Sequence, residues 1–364
     1  MADFDLESYL ADGAKNVTAG ILRASLSNPR ESAYMARCAA AQRAAASRRQ
    51  QSAAAGRHVP PFLIASITTR CNLHCAGCYA RANHSCRDDE AAPGLLSGEQ
   101  WGELFRQAAE LGISFILLAG GEPFLRRDVL EAAARRTEIL FPIFTNGTLL
   151  GPEDLNLLDR RRNLVPVLSI EGGQSTTDAR RGAGVYERLR ASMENLRNRG
   201  LLFGASVTVT RENLEEVLSD VFLDALFQAG CRGVIYVEYV PIDGLTARLA
   251  PGDAERVRCR ALLDEARVRR PEMLLVSFPG DERGSGGCLA AGRGFFHINA
   301  FGGAEPCPFS PYSDINAADT SLAEALDSPL FLRLREEGEL TRPHDGGCAL
   351  FEQESLVRAL LSRS

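Results

Sequence analysis

The sequence predicts an α/β protein: a partial (β/α)6 barrel of parallel strands, with an N-terminal helical segment and a small α+β C-terminal module. Three observations support this. Between residues 60 and 245, short β-branched apolar runs alternate six times with amphipathic helical stretches, the pattern of a parallel βα repeat. The unusual residues collect after each strand. A Gly/Pro-rich stretch at 279–287 then sets off a cysteine-bearing tail. The expected divisions are 1–59 (helical), 60–245 (barrel core), 246–278 (connecting helix and strand) and 279–364 (C-terminal module).

The elements follow in order. Residues 1–57 are rich in Ala and Arg, with a break at Asn28-Pro29 and an alanine-rich stretch at 31–55. Alanine holds a helix without penalty and buries little, so a helical cap or interaction arm is expected, with Cys38 as a small helix residue. Strand one, 62–68, leads into Cys71-Asn-Leu-His-Cys75-Ala-Gly-Cys78-Tyr79. Ser97-Gly-Glu-Gln100 reads as a capping box opening a helix to about residue 111. Strand two, 114–119, stops at Gly120-Gly121-Glu122-Pro123, and a helix follows from about 127. Strand three, 140–145, ends in Asn146-Gly147, and Pro152 suits a first helical turn. Strand four, 164–170, ends at Glu171-Gly172-Gly173, with a helix at 185–199. Strand five, 202–210, precedes Asn213-Leu-Glu-Glu216, a second capping-box pattern. Strand six covers 233–239.

Six units rather than eight imply an open barrel, whose chemistry belongs on the loops at the C-terminal strand ends. The C-terminal module's strands look antiparallel.

Composition narrows the function classes. The net charge of −6 and pI near 5.6 argue against nucleic acid or an anionic membrane as partner. No apolar run approaches a membrane span, and Met-Ala-Asp-Phe-Asp-Leu-Glu shows no signal peptide. A cytoplasmic location is expected, with the 10 cysteines kept as thiols and metal ligands rather than disulfides. The single lysine beside 40 arginines reads as coding bias, because the arginines form no basic block.

Cys71, Cys75 and Cys78 are one short of a closed zinc site or of four thiolates on an iron–sulfur cluster. A zinc knuckle completed by His84 or Cys86 is the plain alternative. The spacing C-x3-C-x2-C resembles the signature of the radical S-adenosylmethionine (SAM) enzymes. That resemblance implies a [4Fe–4S] cluster on the three thiolates, with SAM chelated at the fourth iron and reductively cleaved to a 5′-deoxyadenosyl radical. It covers roughly residues 60–245. Gly77 precedes the third cysteine where many relatives have an aromatic, and Tyr79 follows instead. Gly120, Gly121, Glu122 and Pro123 look like the family's GGEP segment, implying a site for the ammonium of SAM; glycines permit close backbone approach and a carboxylate faces the cation. Ser169 and Glu171 match positions that contact SAM. Arg180 or Arg181 resembles an arginine that pairs with its carboxylate, and Asn146 is a further pocket candidate.

The spacing of Cys288, Gly302 and Cys307 resembles the opening of SPASM and Twitch extensions, which carry auxiliary clusters. With only Cys348 following, one auxiliary [4Fe–4S] cluster on Cys288, Cys307 and Cys348 is implied. Its fourth ligand is open: His297, His344, Cys231, Cys259, or a vacancy for substrate. Cys231 and Cys259 otherwise read as packed core. Cys86, in the polar loop past the first motif, is a candidate hydrogen-atom donor beside its plain reading as a loop thiol. The resemblance implies an oxidoreductase or maturase acting on a peptide or protein by oxidation, crosslinking or epimerisation. The alternatives are a dehydrogenase or epimerase of a small molecule such as an aminocyclitol or sugar, and a non-catalytic zinc or iron–sulfur protein. A flavodoxin or ferredoxin would supply electrons.

Overall fold

The computed structural model describes residues 6, 10, 12, 13, 15, 18, 19, 29–88, 93–242, 244, 246–336, 340 and 348–362. Nine strands form one sheet: β1 (Phe62–Ser66), β2 (Phe115–Ala119), β3 (Phe141–Thr145), β4 (Leu164–Ser169), β5 (Gly204–Val209), β6 (Gly233–Glu238), β7 (Leu274–Phe278), β8 (Phe295–Ile298) and β9 (Ala304–Glu305). Their spatial order is β7-β6-β5-β4-β3-β2-β1-β8-β9. All neighbours from β7 to β8 are parallel. The C-terminal ends of these strands therefore share one rim, where the expected site residues lie.

The six expected strands are present, and two more extend the parallel run. β7 pairs with β6, from Gly233↔Leu274 to Val237↔Phe278. The expectation of antiparallel C-terminal strands holds only for β9, paired antiparallel with β8. β8 itself lies parallel to β1, Phe62↔Phe295 through Ala65↔Ile298. The reason is burial. All four side chains of β8 are buried, and a strand covered on both faces suits the interior of a parallel sheet. The tail is thereby built onto the barrel edge beside the strand that delivers the first cysteines.

Helices cover the outer face. In Gly98–Leu111, Trp101, Leu104 and Phe105 are buried, and the Phe105 ring meets Phe141 of β3 edge-on at 5.1 Å. The expected capping box forms, with Ser97 Oγ accepting from Gln100 N–H and Gln100 Oε1 from Ser97 N–H. The pattern at Asn213 does not form one. The Asn213 amide donates to the Glu171 and Thr208 carbonyls, joining the ends of β4 and β5. Glu216 instead accepts from Gly173 N–H and Thr176 Oγ. Both side chains find better-placed partners in the strand-end loops than in their own four-residue helix.

The helix Pro29–Ala54 begins at the expected break. It lies at the N-terminal ends of the strands: Tyr34 and Cys38 pack with Phe115 and Leu140, and Gln42 donates to the Ser114 carbonyl. It caps the barrel on the side away from the cysteine loop. No helix among the described residues is long and apolar enough to cross a membrane.

Candidate functional site

Two hydrogen-bond zippers fix the loop after β1. Thr69 C=O accepts from Arg87 N–H at 2.7 Å, and Ala80 C=O from Cys86 N–H at 2.6 Å, closing the loop that carries the three thiols. On the other side, Gly121 N–H donates to Thr68 C=O at 2.9 Å and Glu122 N–H to Arg70 C=O at 2.7 Å. The segment after β2 is thus laced to the backbone entering Cys71. The glycine pair makes this possible. A Cβ on Gly121 would stand 1.9 Å from the Arg70 oxygen, and one on Gly120, whose φ is +119°, 2.4 Å from that of Thr68.

Glu122 is fully buried, yet its carboxylate is supplied with donors. Oε1 accepts from Phe124 N–H and Thr145 Oγ1, and Oε2 from Asn146 N–H at 2.8 Å. Burial still outweighs these donors and pushes the carboxyl up to about 7, since desolvation penalises the charged form. Thr145 was not anticipated from the sequence; a hydroxyl on the last residue of β3, one strand over from the acid, is its only signal. Pro123 opens the short turn that presents Phe124 N–H.

The thiols themselves are half-buried. Burial raises Cys71 and Cys75 above the usual thiol range, opposed by Leu73 N–H at Cys71 and by Arg181 at Cys75. Asn146 Nδ2 stands 3.9 Å from Cys71 Sγ and 2.8 Å from Asn72 Oδ1. Arg181 Nη1 stands 3.9 Å from Cys75 Sγ. Its guanidinium also pairs with Glu171, as does Arg180 at 2.8 Å. Burial works against the Arg181 charge, and Glu171 and the Cys75 thiol outweigh it. Ser169 Oγ lies 3.1 Å from Ser206 Oγ. Cys71, Cys75, Asn146, Glu122, Glu171 and Arg181 therefore form one connected rim.

Gly77 has a positive reason to lack a side chain. Its φ is +63°, and a Cβ there would lie 2.3 Å from the Tyr239 hydroxyl, which comes from the end of β6. Tyr79 turns its ring edge-on to Phe309 at 4.9 Å, and Asn83 Nδ2 donates to Pro308 C=O. The residues after Cys78 are docked onto the segment that carries Cys307. Cys86 is buried behind the loop, and burial pushes its thiol up to about 12.

The second cysteine set also converges. Cys288, Cys307 and Cys348 line one recess, together with Glu282, Glu238 and Phe309. Burial raises all three thiols, Cys348 to about 12. Glu238 is paired with Arg256 at 2.8 Å. Glu282 is 4 % exposed, and neither carboxylate oxygen has a hydrogen-bond partner among the described residues. Arg293, also buried, donates to the backbone carbonyls of Ser285, Cys288 and Leu340, holding the turn into Cys288.

The fourth-ligand candidates fare differently. Both ring nitrogens of His297 are engaged, Nδ1 with Glu305 and Nε2 with Ser66 Oγ, each at 2.7 Å. Its place in β8, with Glu305 opposite on β9, fixes that pairing and turns the ring away from the recess. Cys231 is buried before β6 and donates to Gly233 C=O, and Cys259 sits on the helix Asp253–Arg269. Neither lines the recess. His344 lies outside the described residues. Among the described residues, no three His, Cys, Asp or Glu side chains are grouped to hold a single metal ion.

The open parallel half-barrel thus brings three thiols and a buried acid together at its C-terminal rim. The Radical SAM superfamily model matches residues 65–223, which form a radical SAM domain. The chain is accordingly an enzyme that uses a [4Fe–4S] cluster and SAM. The AdoMet-dependent heme synthase of Methanosarcina barkeri is 27% identical over 332 residues, 84% of this chain and 92% of that protein. The mycofactocin maturase MftC of Mycobacterium ulcerans is 28% identical over 305 residues, 77% of this chain and 78% of that protein. In fold, the chain is similar to Streptococcus suis SuiB bound to precursor peptide SuiA. The TM-score is 0.66 at 19% identity, covering 84% of this chain and 75% of SuiB.

Proposed function

We propose that Cys71, Cys75 and Cys78 hold the [4Fe–4S] cluster, that SAM lies across the adjoining rim, and that the enzyme modifies a peptide or protein at an unactivated carbon. The observation that carries this is the lacing of Gly120-Gly121-Glu122 to the backbone entering Cys71. It sets a carboxylate and two side-chain-free residues beside the cysteine loop. When bound, the cofactor pair supplies reductive cleavage of SAM and a radical able to take a hydrogen atom from the substrate.

The chain's own residues prepare that event. Asn146 N–H and Thr145 hold Glu122 as the counter-charge for an ammonium. Glu171 fixes Arg180 and Arg181, and Arg181 is thereby held against Cys75 and toward an incoming carboxylate. Ser169 and Tyr79 complete the rim on either side. Cys288, Cys307 and Cys348 are assigned to one auxiliary cluster, linked to the first loop through Tyr79 and Phe309. Cys86 enters as candidate hydrogen donor with one supporting property, a proton retained far above neutral pH. A flavodoxin- or ferredoxin-type protein is the proposed reductant.

The maturase relative and the fold shared with a precursor-peptide complex support the peptide reading. A second reading, an iron–porphyrin substrate, is favoured by the heme synthase relative that this chain matches over 92% of its length. The discriminating experiment supplies reduced enzyme and SAM with either a peptide encoded beside its gene or iron–coproporphyrin. The peptide reading expects a mass change in the peptide, with substrate deuterium carried into 5′-deoxyadenosine. Turnover of the porphyrin alone would replace it with the second reading.

A further inference from the structure

We propose that Glu282 is the fourth protein ligand of the C-terminal cluster, completing a three-thiolate, one-carboxylate set with Cys288, Cys307 and Cys348. The inference rests on the assignment of a cluster to those cysteines. The recess they line contains two carboxylates, and their circumstances differ. Glu238 is neutralised by Arg256. Glu282 sits 4 % exposed with neither oxygen in hydrogen-bond geometry with a described residue, and the Leu289 N–H and the Arg293 charge that face it do not outweigh its burial.

A carboxylate withdrawn from water without donors is expensive unless a cation or metal meets it. The three thiols on the same recess indicate what kind of centre that is. Iron–sulfur clusters are held mainly by thiolates, and a single iron also takes a non-thiolate donor, as the imidazoles of Rieske centres do; Glu282 would bind as the carboxylate after releasing its proton.

The local chain is built to hold the acid there. Glu282 lies in the short turn Gly280–Ser285 that follows β7, so strand and turn set its position. Its N–H donates to Pro279 C=O at 2.8 Å. Ser285 Oγ donates to the Glu282 carbonyl, and Arg293 ties Ser285 to Cys288 and Leu340 through their carbonyls. The acid and the first cysteine are thus two ends of one hydrogen-bonded turn. Asp281, the adjacent acid, is exposed and paired with Arg267, so only one carboxylate of the Asp281-Glu282 pair is directed into the recess.

The test uses the full chain carrying Cys71→Ala, Cys75→Ala and Cys78→Ala, so that a cluster at the C-terminal recess is read by itself. With Glu282 intact, anaerobic reconstitution should give about four irons per chain, retained on mild oxidation. In the same background, Glu282→Gln or Glu282→Ala should lose one iron in four on that oxidation and show the EPR signal of a three-iron cluster. Added imidazole, a ligand for a vacant iron, should perturb the EPR spectrum of the reduced Ala variant and leave that of the Glu282 chain unchanged. Glu282→Cys should restore four irons with a shifted reduction potential, separating lost ligation from lost folding.

A Gln variant that keeps four irons and an unchanged spectrum would overturn the assignment of Glu282, as would a Cys variant that still loses the fourth iron. If the Glu282 chain without the first three cysteines holds no iron, the auxiliary-cluster reading itself fails. That outcome is distinct from the other two.

Discussion

Glu122 and Glu282 are both buried carboxyls, each beside three cysteines, and they are prepared in opposite ways. Glu122 receives two backbone N–H groups and a hydroxyl. Glu282 has no donor in hydrogen-bond geometry among the described residues, only the Leu289 N–H and the Arg293 charge opposing its burial. The rim acid is satisfied by the protein and keeps its place whether or not a ligand is bound. The tail acid is left with a desolvation cost that a partner has to offset. A network that supplies its own donors indicates positioning, whereas an orphaned carboxylate indicates a ligand.

Individual substitutions put this contrast at risk. Replacing Cys71, Cys75 and Cys78 together has the largest expected effect. SAM cleavage, followed as 5′-deoxyadenosine by chromatography, should fall to background, a loss of about three orders of magnitude or more, since the cofactor carries the chemistry.

The next largest is a pH effect on the iron-free protein. The Glu282 carboxyl is pushed from 4.5 up to about 8 in the folded chain. The unfolded chain therefore loses this proton first, and stability falls as pH rises through that window. Glu282→Gln removes this slope. Its gain over wild type should be nil near pH 4.5 and grow to at most roughly 5 kcal/mol at pH 9, by denaturant unfolding under reductant. Glu122→Gln removes a shorter slope, from 4.5 to about 7, and its amide would face N–H donors at a cost of about 1–3 kcal/mol, so its net gain at pH 8 should be much smaller than that of Glu282→Gln. Equal behaviour of the two variants would erase the contrast.

Gly121→Ala forces a methyl against the Arg70 carbonyl. It should cost about 2–3 kcal/mol and weaken SAM binding, read by calorimetry on the loaded enzyme. The smallest effect is Thr145→Val. Loss of one donor to Glu122 should destabilise the chain by about 1–2 kcal/mol and move the pH below which SAM binding weakens upward from about 7.

Much of this was legible in the chain because it is local. The C-x3-C-x2-C loop, the six βα units and the capping box at Ser97 are each written in a few adjacent residues. Asn213 shows the limit: a sound capping pattern was overridden by strand ends that only the assembled barrel brings within reach. The parallel pairing of β8 with β1 was equally hidden, since 229 positions separate the four residues Phe295–Ile298 from their partners, as in Phe62↔Phe295 to Ala65↔Ile298. Glu282 was hidden for a related reason. In a polar Gly-rich stretch it looks like a solvated acid, as Asp281 partly is, and only burial without partners distinguishes it.

The central expectation is that two cysteine sets hold two clusters. Iron analysis of the anaerobically reconstituted chain, beside its Cys71→Ala/Cys75→Ala/Cys78→Ala variant, measures this. The expected result is about eight irons in the first and about four in the second. About four in the first and none in the second would contradict it.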